Sequence, residues 1–203
     1  MKLKIDYNSP VILTFTLVAT AVMIVDTIIP GFTRNFFAFP PTFAFGNPLD
    51  YFRLVSHIAG HANWQHLAGN FAIILLIGPI LEEKHGSKGL LVMMIVTALI
   101  SSVFAILLFD HYGLGASGVV FMMIILSSFV NLKKGTIPLT FILVALLFLG
   151  QEVFNSLKAD NVSQFAHILG GVSGAGFGFL ASGRRDRSAA KKVSKSSELP
   201  PPS

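Results

Sequence analysis

The sequence predicts an all-α membrane protein, a bundle of six transmembrane helices with both termini in the cytoplasm. Three observations carry this. Apolar side chains make up 53% of the 203 residues and charged ones only 12%, where a soluble domain carries about 25% charged residues. Six apolar runs follow one another along the chain, and a membrane-crossing helix needs about 20 such residues. The fifteen basic residues are unevenly placed: with the amino terminus inside, twelve lie in inner segments and only Arg34, Arg53 and Lys158 in outer ones. The excess of Lys and Arg on one side sets the orientation.

The first run spans about Pro10 to Ile29. Lys2 and Lys4 precede it and Ala19-Thr20-Ala21 resembles a cleavage site, but the apolar residues continue through Met23, Ile24 and Val25. An uncleaved first helix is therefore expected rather than a signal peptide. A long outer loop, about Pro30 to Gln65, comes next, with Phe36, Phe37, Phe39, Phe43 and Phe45 among Pro40, Pro41 and Pro48. Aromatics at this density suit either a segment in the outer membrane interface or a loop packed over the bundle. The second run covers about His66 to Ile80, the third Gly89 to Phe109, the fourth Ser117 to Asn131, the fifth Ile137 to Gly150 and the sixth Val162 to Ala181. The second, fourth and fifth are short for a full crossing, which is tolerated where protein or a water-filled cavity replaces lipid. Residues 1–182 form one membrane domain. Residues 183–203, polar, basic and proline-ended, form a disordered cytoplasmic tail.

Cysteine is absent, which excludes disulfides, thiolate nucleophiles and cysteine-held metals. The net charge of +5 does not point to nucleic acid, because six basic residues are gathered in the tail from Arg184 to Lys195; that tail reads as an anchor beside the bilayer. His57, His61 and His66 invite a metal reading, but no carboxylate completes a site and no HExxH occurs. His57 and His61 are expected to be structural loop residues. Glu82 and Glu83 read as a pair at the inner end of the second helix, with Glu82 able to bind backbone or loop groups. The compact form with short loops fits a bacterial plasma membrane.

Polar groups inside apolar spans are costly, so they are functional candidates. His66 and Asn70 open the second span on one helix face, four residues apart. Gly115-Ala-Ser117-Gly118 opens the fourth, and His167 lies near the outer end of the sixth. In the topology above, all three sit at the outer ends of their helices. The chemistry permitted is acyl transfer. A serine hydroxyl needs a base, and a histidine, with a reference pKa of about 6.5, serves as one. The oxyanion of the tetrahedral intermediate needs hydrogen-bond donors: His66, Asn70 and the Ser117 backbone N–H at a helix amino terminus can supply them. No aspartate lies near these faces, so a Ser-His dyad is expected rather than a triad. Capping for Ser117, and interhelical hydrogen bonding for His66 and Asn70, are the structural alternatives. Gly170, Gly174 and Gly178 form a small-residue stripe that would let the sixth helix approach the fourth backbone to backbone and bring His167 to Ser117.

From about Tyr51 to Phe179 the chain resembles the rhomboid family. His66-x-x-x-Asn70, Gly115-x-Ser117-Gly118 and Ala166-His167-x-x-Gly170-x-x-x-Gly174 resemble its second-helix, nucleophile and last-helix motifs, in that order. Phe52-Arg53, His57, His61 and Gly78-x-x-x-Glu82-x-x-x-Gly86 are weaker matches. Phe52 stands where the family often has tryptophan, and Phe121 where many members have a tyrosine packed on the catalytic histidine. The resemblance implies six helices around a water-accessible cavity. It also implies cleavage of the transmembrane segments of single-pass or multi-pass membrane proteins near the outer face, in contact with the bilayer, without cofactor, metal or nucleic acid. An inactive rhomboid-like binder or escort of membrane clients is the alternative, and a small channel a third; the first is disfavoured by the joint presence of Ser117 and His167, the second by the apolar inner halves of the spans.

Overall fold

The apolar runs fold as helices because a bilayer offers no partner for free backbone N–H and C=O groups. The computed structural model describes residues 6–128, 139, 142, 143, 146, 167–178 and 180. Helix α1 spans Pro10–Ile28, α2 Phe32–Phe36, α3 Pro48–Ser56, α4 Trp64–His85, α5 Ser87–Leu108 and α6 Ser117–Ser128; residues 167–178 are also helical. A 3-10 turn, His57–Ala59, links α3 to the approach of α4. Among the described residues every regular element is helical, and an isolated bridge pairs Phe39 with Gly113. By length and composition α1, α4 and α5 can cross a membrane, and α6 is a shorter apolar helix. The fifth predicted run apart from residues 139, 142, 143 and 146, the start of the sixth and the tail lie outside the described residues.

Helix α6 lies at the centre. Eight of its residues are buried, among them Val119, Met122, Met123 and Leu126, and it packs against α4 and α5. Ile12, Ile74, Leu81, Leu90 and Ala98 complete the core from the surrounding helices. Leu17 and Ile24 on α1, Leu76 on α4 and Val92, Leu107 and Leu108 on α5 point outward, as they should where the solvent is hydrocarbon. Hydroxyls in these helices are satisfied internally: Thr16, Thr20 and Thr97 each donate to the carbonyl four residues back.

The second predicted run was drawn too short. Helix α4 continues past Ile80, through Pro79, to His85, a length of 22 residues. Local polarity suggested an end at Glu82-Glu83-Lys84, but Glu82 is buried at 4% exposure and works within the bundle. Its carboxylate accepts from Val11 N at 3.0 Å and Ile12 N at 3.1 Å, and from Ser87 Oγ at 2.8 Å. The first N–H groups of α1 have no acceptor within their own helix, and α1 starts Ser9-Pro10 with no side-chain cap of its own. Glu82 supplies that cap from α4, where an anion is also favoured by the helix dipole. Gly78, one turn away, admits Ile12: a Cβ there would meet Ile12 Cδ1 at 2.6 Å. Gly86 turns the chain into α5 at φ +74°, a region that favours glycine. Glu82→Ala should lower the thermal midpoint in detergent, at a cost of about 3 kcal/mol, since removing one partner of buried hydrogen bonds leaves the others unsatisfied. Glu82→Gln should cost less, and an unchanged midpoint for the alanine variant would remove Glu82 from this role.

The long segment between α1 and α4 is more structured than a loop. Asn47 caps α3 by accepting from Leu49 N, with Pro48 at the first helical position. Asp50, buried, accepts from Ala44 N, Asn47 Nδ2 and Arg53 Nη1, while Arg53 Nη2 donates to the Asn35 carbonyl and so ties α3 to α2. Phe37 packs on Phe32 and Phe52 and Phe39 is buried, whereas Phe36 and Phe45 are exposed. The segment is thus packed on one side and aromatic on its outer surface. Helices as short as α2 and α3 leave little periodicity to read.

Candidate active site

Each site residue is set by a local feature of its own element. Asn63 caps α4, its side chain accepting from His66 N at 2.8 Å, and this fixes the first turn that carries His66. Gly115 precedes Ser117 with φ +119°, and a Cβ there would lie 2.8 Å from His66 Cε1. Glycine is needed on both counts: for the backbone conformation and for the approach of the imidazole. Gly115 N donates to the His57 carbonyl at 2.9 Å. Phe39 and Gly113 exchange backbone hydrogen bonds at 3.0 and 3.2 Å, which pins the segment between α1 and α4 to the loop before α6.

Val120 N bonds the Ala116 carbonyl at 2.9 Å, so Ala116 occupies the cap and Ser117 the first helical position. The N–H of Ser117 is among those a helix start leaves without an intrahelical acceptor. Ser117 and His66, both half-buried, line one cavity of about 360 Å³. Its walls also include Phe39, His57, Thr97, Ser101, His111 and Gly118. Amino-terminal ends of α4 and α6 therefore meet at this cavity.

His167 reaches the same end of the bundle. Its ring stacks on Phe121, centroids 4.7 Å apart and planes within 6°, and Phe121 stands one turn beyond Ser117 on α6. The glycine stripe explains the approach. A Cβ on Gly170 would collide with the Gly118 carbonyl oxygen, and one on Gly174 would lie 2.5 Å from that of Met122. The 167–178 helix thus packs on α6 backbone to backbone, as small-residue stripes allow. Phe121 thus offers His167 a ring contact and no hydroxyl.

Asn70 is one turn further into α4 than His66, buried at 8% exposure. Its Nδ2 lies 3.0 Å from Nε2 of His61. The spacing of His57, His61, His66 and Asn70 is visible in the sequence, but a contact between the residues before α4 and its second turn is not. His57 and His61 lie outside the spanning helices. Burial lowers His57 to about 4. Burial, then the neighbouring His66, lowers His61 to about 4. Both are neutral when folded, while an unfolded histidine titrates near ~6.5. Between about 6.5 and about 4 the unfolded chain therefore binds more protons, and stability present above that window is lost as pH falls through it. The single tryptophan, Trp64, donates to Thr27 Oγ1 at 3.2 Å beside this region. A thermal melt followed by its fluorescence should show a midpoint that drops from pH 7 to pH 4; a midpoint flat over that range would contradict the burial of these neutral imidazoles.

A family model described as the rhomboid domain matches residues 48–184. The chain belongs to the rhomboid family. It is an integral membrane protein with apolar helices of spanning length. The match takes in α3 through the 167–178 helix, and so all of Ser117, His167, His66 and Asn70. Among curated proteins it is similar to rhomboid-like protein 11, chloroplastic, of Arabidopsis thaliana, at 24% identity over 163 residues, covering 72% of this chain. The chain spans 58% of the length of that relative. This rhomboid thus carries Ser117 and His66 on the wall of one cavity, with His167 stacked on Phe121 at the same end of the bundle.

Proposed function

We propose that this rhomboid is an intramembrane serine endopeptidase that cleaves transmembrane segments of other membrane proteins near the outer face. The observation that carries the reading is the convergence of Ser117, His66 and the Phe121-stacked His167 at one end of the bundle. Ser117 Oγ attacks the scissile carbonyl carbon while His167 takes its proton. The oxyanion is held by His66, Asn70 and the Ser117 N–H. As the intermediate collapses, the C–N bond breaks and His167 returns the proton to the leaving amine. Water entering the cavity then hydrolyses the acyl-enzyme, again with His167 as base. No cofactor or metal takes part. The protein crosses the membrane six times with both termini cytoplasmic, in a bacterial plasma membrane, and residues 183–203 form its basic tail.

Incubation with model transmembrane substrates in detergent or liposomes tests this: Ser117-dependent cleavage within or beside the membrane segment is expected, and intact substrate would favour the inactive escort. The oxyanion roles have their own signature. A donor that acts more on the transition state than on the ground state changes kcat rather than KM. Loss of one such donor costs about 2.7–4 kcal/mol in a soluble serine protease. Here two other donors remain and water enters the cavity. Asn70→Ala should therefore lower kcat by roughly one to two orders of magnitude with KM little changed, and His66→Ala should be worse. A raised KM with unchanged kcat for Asn70→Ala would make Asn70 a substrate-binding or packing residue.

A further inference from the structure

We propose that His61 is a positioning residue: its imidazole fixes the orientation of the Asn70 carboxamide, so that one amide N–H stays aimed for the oxyanion. The inference rests on the protease reading above. His61 is only 1% exposed. Its Nδ1 faces the Ala59 carbonyl at 3.4 Å and its Nε2 faces Asn70 Nδ2 at 3.0 Å. The ring also packs edge-on against His66, centroids 5.0 Å apart, and tilted against Phe71 at 5.7 Å.

These contacts leave one arrangement of protons. A carbonyl oxygen only accepts, so the N–H of a neutral His61 sits on Nδ1 and Nε2 carries the lone pair. An accepting Nε2 requires a donor opposite, so Asn70 must present its NH2 and not its carbonyl oxygen. The flipped carboxamide would set two lone pairs against each other in a buried place, an uncompensated cost. Burial keeps His61 neutral, and its acceptor intact, well below physiological pH. One amide hydrogen is thus held by His61, and the second keeps a fixed direction. A donor prepared in advance is worth more than one that must rotate into place during the reaction. The same ring buttresses His66, the other side chain assigned to the oxyanion.

The test uses the full chain, a transmembrane substrate and four variants: His61→Phe, His61→Gln, Asn70→Ala and the double His61→Phe/Asn70→Ala. His61→Phe keeps a ring but has no acceptor, and should lower kcat about tenfold, the low end of the roughly 10–100-fold range seen when the partners that orient metal ligands are removed. KM should be little changed. His61→Gln offers a side-chain carbonyl and should recover most of the lost kcat. The double variant should be no slower than Asn70→Ala, because His61 acts through Asn70. A merely structural His61 would give multiplying losses and no rescue by glutamine, and either result overturns the proposal, as does an unchanged kcat in His61→Phe. If His61→Phe does not purify folded, His61→Leu takes its place beside His61→Gln: a kcat lowered in the leucine variant and recovered in the glutamine one supports the proposal, and equal kcat values in the two overturn it. A wild-type protein with no Ser117-dependent cleavage would sink the protease reading and this inference together; an active wild type that is insensitive to His61 sinks this inference alone.

Discussion

Ser117→Ala is expected to abolish proteolysis of a transmembrane substrate while the protein inserts and purifies as wild type. The substitution removes one hydroxyl at the first position of α6, on the wall of a cavity. The cap belongs to Ala116, whose carbonyl takes the bond from Val120 N, so the helix start does not depend on the serine side chain. Packing around α6 comes from Val119, Met122, Met123 and Leu126, which the change leaves alone. Alanine fits the helix at least as well as serine. The chemical step, in contrast, loses its nucleophile. Cleavage assays on matched preparations, with thermal midpoints alongside, separate the two effects. Residual cleavage near the wild-type rate would place the active site elsewhere.

His167→Ala is expected to be as damaging as Ser117→Ala, and the double variant no worse than either. Nucleophile and base act as one unit, so their effect is lost once and not twice. The alanine also removes the stacking of His167 on Phe121, an aromatic contact worth about 0.5–1.5 kcal/mol, so a modest fall in stability should accompany the loss of activity. His167→Phe keeps a ring against Phe121 and separates these effects: it should hold stability near wild type and remain inactive. The glycine contacts of the same helix, Gly170 on Gly118 and Gly174 on Met122, are untouched in all three variants. Independent, multiplying losses from Ser117 and His167 would argue against a dyad.

What could be read in advance follows from how local each determinant is. The start of α6 at Ser117 was legible because Gly115 and Gly118 bracket it, and the structure uses Gly115 at positive φ against His66. The Gly170 and Gly174 stripe was legible as a close-packing face, and its partner is α6. The first and third runs match α1 and α5 within two residues at each end. Only the last residues of α4, Leu81 to His85, lay beyond the expected apolar run, because a charged triplet normally ends such a run; Glu82 does bind backbone groups, from a helix start some 70 residues away in sequence. Helices α2 and α3 were hidden by their length. The bond between His61 and Asn70 joins a loop to a helix face, and no period in the sequence registers it. The Phe-rich segment fits both an interfacial and a packed reading by composition alone. Its buried Phe39 and exposed Phe36 and Phe45 show one side packed on the bundle, with aromatics on the other.

Covalent labelling tests whether Ser117 is an activated nucleophile. The purified protein in detergent is treated with a tagged fluorophosphonate, and the modified residue is located by peptide mass spectrometry. The dyad predicts a single label on Ser117, absent in Ser117→Ala, strongly slowed in His167→Ala and slowed but still detectable in Asn70→Ala and His66→Ala, where the dyad is intact. A folded wild-type protein that takes no label at Ser117, or a His167→Ala variant that labels as fast as wild type, would contradict it.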